Sequence, residues 1–246
     1  MSSPEFDDGP RFAIHGTTAD ADVVELCAVA GAAVYVIDLE HGTATVKECA
    51  GAIRAADAFG LDVWVRVTLQ DLRSAARLLD AGARGALVAD VRGPADCELV
   101  AARLLHPPAG HRGFGGCREN TYGFPAPPGR SGSNEQPLLG VQVESAVGLA
   151  NLDGILGQPG IQFVMVGTRD LAADLGHGES MQHAEVRRAV ERVADSAHQH
   201  AVEFGIMVRS PDQTASAMQL RPDWLLVPLA ALVCSGLETF SRPAAG

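Results

Sequence analysis

VYVIDLEHGTATVKECAGAIRAADAFGLDVWVRV, residues 34–67, decides the fold. Val34–Asp38 is a short apolar run, rich in β-branched side chains, that suits a buried strand. VKECAGAIRAADAFG then shows amphipathic, alanine-rich helical periodicity, and DVWVRV is again strand-like. Strand, helix and strand in succession make a βαβ unit, whose two strands run parallel.

The alternation continues in both directions. Further strands are expected at RFAIH (11–15), GALVAD (85–90), LLGVQVE (138–144), QFVMVG (162–167), EFGIMV (203–208) and WLLVPL (224–229), making eight with the two above. Between two of them, LRSAARLLDAGARG ends in Gly82 and Gly85, where helix C-terminal signals belong. Eight βα units in 246 residues fit an α/β fold of the (β/α)8 TIM-barrel type. An open doubly wound sheet is the competitor, but no GxGxxG or Walker A motif supports its nucleotide-binding versions. Residues 1–246 read as one barrel domain, with 1–9 as a flexible N-terminal tail. Residues 106–137, crowded with Gly and Pro, read as an active-site loop that follows the fourth strand at the C-terminal face.

Hydrophobic residues make up 47% of the chain and charged ones 20%, an ordinary globular composition. A net charge of −11 argues against nucleic-acid and anionic-membrane partners. No signal peptide or membrane-spanning run is recognisable. Five scattered cysteines without a CxxC read as reduced thiols, and a cytoplasmic location is expected.

Barrel enzymes place their chemistry at the C-terminal ends of strands, and four strand ends carry polar side chains. Asp38 closes the second strand, with Glu40 and His41 in the turn. An imidazole titrates near neutrality and a neighbouring carboxylate fixes its tautomer; a solvated surface turn is the plainer reading. Arg66 shares a strand face with Trp64, away from Val63, Val65 and Val67. It suits either stabilisation of a developing oxyanion or the capping of a carboxylate at the barrel mouth. Gln142 and Glu144 share a face of the fifth strand, and Asp170 follows the sixth. Two carboxylates from adjacent strand ends suit a hard divalent cation such as Mg2+ or Mn2+; an ion pair at Glu144 and a helix N-cap at Asp170 are the structural alternatives. His198 and His200 stand at i and i+2 and share no helix face. Asp174 reads as solvated. Arg112 and Arg118, in the long loop, read as holders of an anion or as exposed.

IDLEHG, VRV, LLDAGARG, HPPAGHRGFG…TYG, VQVES and GTRDLAADLG stand in the order, and at roughly the spacing, of the HpcH/HpaI aldolase family. The chain resembles that family from about residue 11 to about residue 235. The resemblance implies a (β/α)8 barrel and class II, metal-dependent pyruvate aldolase chemistry with Mg2+, Mn2+ or Co2+ and no organic cofactor. It implies Glu144 and Asp170 as metal ligands, His41 as general base with Asp38 in its hydrogen-bond network, and Arg66 as the group stabilising enolate and alkoxide. Asp80 is implied to support the base, often across a subunit contact, and Gln142 and the backbone at Arg169 to hold the keto-acid. A homo-oligomer, a trimer or hexamer, is implied as well. Departures from the family pattern are Ala89-Asp90 after the fourth strand, Arg169 beside the metal aspartate, Glu119 and Asn120 within RENTYG, His15 in the first strand and an early end at PAAG. The expected reaction is reversible cleavage of a 4-hydroxy-2-oxo acid to pyruvate, or a close 2-oxo acid, and an aldehyde. A pyruvate-enolate enzyme with another outcome, such as oxaloacetate decarboxylation or carbon–carbon bond formation in a specialised pathway, is the alternative. A keto-acid-binding barrel without turnover and a CoA-ester lyase stand behind it.

Overall fold

Residues 9–125, 136–178 and 180–241 are described in a computed structural model. The tail expected over 1–9 thus falls outside them but for Gly9, as does the 126–135 part of the long loop. In chain order the elements are β1 (Arg11–Gly16), α1 (Ala21–Val29), β2 (Val34–Asp38), α2 (Val46–Ala58), β3 (Asp62–Val67), α3 (Leu72–Asp80), β4 (Gly85–Val88), α4 (Pro94–Leu104) and β5 (Leu138–Val143). The chain continues through α5 (Ala146–Ala150), α6 (Leu152–Leu156), β6 (Ile161–Val166), α7 (Thr168–Asp174), α8 (Ala184–Gln199), β7 (Glu203–Met207), α9 (Pro211–Ala217), β8 (Trp224–Pro228) and α10 (Leu229–Ser241). All eight strands pair in parallel and in sequence order, and β8 closes on β1. The barrel, not the open sheet, is the fold. No helix among the described residues is long and apolar enough to cross a membrane.

Each strand separates two cores. On β3, Val63, Val65 and Val67 pack outward with the helices, whereas Trp64 turns into the barrel. The period-two reading of VWVRV therefore holds in three dimensions. Inside, Ala13, Val34, Val36, Trp64, Leu87, Phe163, Met165, Trp224 and Leu226 form a separate apolar cluster. Phe163 lies between Gly140 and Gly205, where a Cβ on either would come within 2.5 Å of its ring carbons. Two flanking strands therefore give up side chains so that one aromatic can fill the section. Trp64 packs against Phe163 and Trp224 with ring centroids 5.4 and 4.7 Å away, completing an aromatic floor.

Helix starts follow their caps. Thr45 and Glu48 form a reciprocal capping box on α2, and Ser145 caps α5. Strand β4 is shorter than expected: Ala89 and Asp90 leave it, with Asp90 at φ 51°. The carboxylate of Asp90 is held by Arg92 at 2.7–3.0 Å.

The long loop requires a correction. It follows not the fourth strand but α4, which PADCELVAARL forms on its way back down the barrel. Its described parts therefore lie at the N-terminal ends of the strands, opposite the face expected for the active site. There Arg118 bonds Asp57 (2.6 Å) and the carbonyl of Ala81 (3.2 Å). Buried Arg112 contacts His106 and Glu119. Both arginines serve this packing rather than the barrel mouth.

Candidate active site

At the C-terminal ends of the strands a cavity of about 720 Å³ opens above the aromatic floor. Its wall includes His15, Asp38, His41, Arg66, Gln142, Gly167, Arg169 and Asp170. Asp38, Arg66, Gln142 and Glu144 are 1, 6, 2 and 8% exposed, so the barrel brings four strand-end polar groups together out of water.

Asp38 and Arg66, neighbours in the β2–β3 register, form a two-point pair: Nε donates to Oδ1 at 3.0 Å and Nη2 to Oδ2 at 2.7 Å. Burial favours the neutral acid, but the hydrogen bonds and charge of Arg66 hold the Asp38 carboxyl below the usual carboxylate range. Oδ1 also accepts the backbone N–H groups of Glu40 (3.0 Å) and His41 (3.3 Å). Asp38 thus reaches His41 through its main chain and shapes the turn that carries the imidazole to the exposed rim. Glu40 approaches the other side of the guanidinium, with Oε2 3.4 Å from Arg66 Nη1. Buried His15 stands 3.6 Å from Asp38 Oδ2. Desolvation first, then the charge of Arg66, push its pKa down to about 4, which keeps it neutral at pH 7.

Gln142 and Glu144 lie on the inner face of β5 and its end, and Gln142 Nε2 donates to Glu144 Oε2. Burial pushes the Glu144 pKa up to about 7; the bond from Gln142 opposes this, and the charges of Glu40 and Asp170 add to it. Three carboxylates thus feel one another's charge, although their oxygens do not all lie within 4.8 Å of one another. Gly167, the first residue after β6, makes room for Glu144: a Cβ there would stand 2.6 Å from Glu144 Cβ and 3.0 Å from Gln142 Nε2. Gln142 Oε1 is buried without a hydrogen-bond partner. Oxygen donors, excess negative charge and an unsatisfied acceptor fit a hard divalent cation. Asp170 sits exposed in the first turn of α7, and Asp174 is not merely solvated: its Oδ2 accepts the N–H of Ala146 at 2.6 Å, tying α7 to the start of α5.

Asp80 does not join this group. It ends α3 at the opposite end of the barrel, where its buried Oδ1 makes no hydrogen bond and is ion-paired with Arg112 Nε at 3.9 Å. His198 and His200 diverge, to the carbonyls of Arg221 and Ser196. Two further strand ends contribute residues that the sequence reading gave no role: His15 on β1 and Arg209 just beyond β7. The strand-end rule applied to all eight strands would have found both.

A model of the HpcH/HpaI aldolase/citrate lyase family matches residues 11–221. The chain belongs to this family. It is 34% identical over 175 residues to a hydroxypyruvate/pyruvate aldolase of Sagittula stellata, covering 71% of this chain and 69% of that protein. It is 30% identical over 219 residues to a 4-hydroxy-2-oxo-heptane-1,7-dioate aldolase of Klebsiella pneumoniae, covering 88% and 83%. A crystal structure of a family member from Burkholderia cenocepacia superposes with a TM-score of 0.86 at 27% identity, covering 96% of this chain and 94% of the other. The protein is accordingly an aldolase, a carbon–carbon lyase acting on small molecules.

Proposed function

We propose that this aldolase reversibly cleaves a 4-hydroxy-2-oxo acid to pyruvate, or a close 2-oxo acid, and an aldehyde, with Glu144 and Asp170 holding Mg2+, Mn2+ or Co2+. The observation that carries the reading is the carboxylate corner: buried Glu144, pushed up to about 7 beside Glu40 and Asp170, faces a guanidinium fixed by Asp38. A divalent ion there would supply Lewis-acid polarisation of the 2-oxo group. Arg66 offers fixed positive charge to the oxygens that become enolate and alkoxide, and its pairing with Asp38 means that no reorientation is needed as charge develops. Gln142 and the backbone at Arg169 hold the keto-acid. In the cleavage direction His41 takes the proton from the 4-hydroxyl, the C3–C4 bond breaks to release the aldehyde, and the enolate left on the 2-oxo acid is protonated at C3.

Asp80 supports the base only if a second protomer brings it to the mouth, since within one chain it lies at the far end. A homo-oligomer, a trimer or hexamer, would do so. The relatives' names, hydroxypyruvate/pyruvate and 4-hydroxy-2-oxo-heptane-1,7-dioate aldolases, support the substrate class.

The test is deuterium exchange into the methyl group of pyruvate alongside cleavage. Chelation should abolish both, and Mg2+, Mn2+ or Co2+ should restore them; activity surviving exhaustive chelation sinks the metal-dependent reading. His41→Ala should lose cleavage by on the order of 10²–10⁴ while metal binding persists. An equal loss of both would make His41 structural.

A further inference from the structure

We infer a transition-metal site of the Zn2+ class formed by His177, His183 and Glu185, set apart from the carboxylate corner and clipping the connection between α7 and α8. One ring nitrogen of each histidine and a carboxylate oxygen of Glu185 lie within 4.8 Å of one another. Two imidazoles and a carboxylate are a donor set that Zn2+ takes, with water completing four-coordination. The backbone of the connection brings them together. Gly176 and Gly178 flank His177 at φ 83° and 58°. The N–H of Ser180 bonds the carbonyl of His177 at 3.2 Å, and the N–H of His183 bonds the carbonyl of Ser180 at 3.1 Å.

Two of the three ligands are already joined. His177 Nε2 donates to Glu185 Oε2 at 2.8 Å, and that bond holds the Glu185 carboxyl below the usual carboxylate range. An ion binding here takes the place of the shared proton. The two imidazoles stack with centroids 3.5 Å apart, and coordination turns them edge-on to the ion. His183 can make that turn, because it is lightly held. It stands at the N-cap of α8, a place that suits Ser, Thr, Asp or Asn better than an imidazole. Its Nδ1 accepts the Glu185 N–H only at 3.3 Å, beyond the usual range. Imidazole donors suit Zn2+, Ni2+ and Cu2+, whereas oxygen donors alone suit Mg2+ and Mn2+, so the two sites differ in the ion they prefer. Asp80, Cys117 and Glu119 also cluster, at the other end of the barrel, but Arg112 already pairs with both carboxylates there. Met181, which falls between the two histidines in sequence, lines the cavity. An ion on the clip therefore fixes part of the cavity wall as well.

Calorimetric titration with Zn2+ reads the site in a Glu144→Gln background, where the carboxylate corner has lost a ligand. That parent should bind Zn2+, and His177→Gln or His183→Asn should each weaken the binding by at least about tenfold. Asn keeps the N-cap of α8, so the second substitution removes a ligand without removing the cap. Free of metal, both variants should melt close to their parent; Zn2+ should raise the melting temperature of the parent alone. Mg2+ in place of Zn2+ should produce neither effect. A parent that binds no Zn2+, or Zn2+ binding that both substitutions leave unchanged, overturns the site. Should Glu144→Gln not fold, the same comparison in the wild-type background decides. Loss of one equivalent of bound Zn2+ on either substitution then supports the site, and an unchanged number overturns it. None of these readouts depends on aldol chemistry, so the site and the proposed reaction stand or fall separately.

Discussion

Gly167→Ala is the sharpest perturbation of the cation corner. The backbone at this position, φ −81° and ψ 78°, is open to alanine, so the substitution tests space rather than chain conformation. The added methyl would stand 2.6 Å from Glu144 Cβ, whereas apolar carbons pack at about 3.5–4.0 Å. Roughly 1 Å must be found. The Gly167 N–H bonds the Val143 carbonyl at 3.0 Å, which holds the two strand ends together, so the give falls on the Glu144 side chain. Overpacking of this kind costs about 1–3 kcal/mol of stability, and a displacement of about 1 Å at a catalytic group costs on the order of 10² in rate. Expected outcomes are a folded protein with a modestly lowered melting temperature, Mn2+ affinity reduced at least about tenfold by paramagnetic titration, and pyruvate exchange slowed about a hundredfold. Gly51→Ala, on the exposed face of α2 where nothing lies within 4 Å, is the control and should be neutral or slightly stabilising. Wild-type Mn2+ affinity and exchange rate in Gly167→Ala would refute the placement of the cation between Glu144 and Asp170.

Three further outcomes are expected. Asp38→Asn leaves Arg66 buried with only Glu40 at 3.4 Å as an answering charge, and urea denaturation should show a loss of about 3 kcal/mol. The His15 pKa is lowered from 6.5 to about 4 in the folded protein. The unfolded chain therefore binds the proton first, so stability is full above about pH 6.5 and falls towards pH 4, by on the order of 3 kcal/mol; His15→Gln should remove that part of the wild-type profile. Because Glu144 titrates near 7, cation binding below that pH must displace its proton. Apparent Mn2+ affinity should then rise by up to about tenfold per pH unit between about 5 and 7 and level off above, whereas Glu144→Gln should flatten the slope as well as weaken binding.

Much of the fold was legible because strand-length apolar runs and helical periodicity alternate along most of the chain, and the eight observed strands fall at the eight expected runs to within two residues at either end. The convergence of Asp38, Arg66, Gln142 and Glu144 was legible for the same reason, since period-two alternation fixes which strand-end side chains face inward. The placement of residues 106–137 was not. The helical stretch PADCELVAARL turns the chain back before the Gly/Pro-rich segment begins, and the loop surfaces at the other end of the barrel, taking Arg112 and Arg118 with it. The end to which Asp80 belongs was legible, since it closes the helix that leads into β4 and so lies at the N-terminal ends of the strands. Gly167 had no legible role, because an absent side chain shows its purpose only once its neighbours are in place.

The layer of Trp64, Phe163 and Trp224 acts as an electrical insulator. With aromatic rings packed beneath them, Asp38, Arg66, Gln142 and Glu144 meet little water from that side, and fields between them are damped less than in an open channel. A charge arriving at the mouth therefore acts on this group of side chains with little screening from below. The floor that fills the barrel thus also leaves the charges of its mouth unscreened from below.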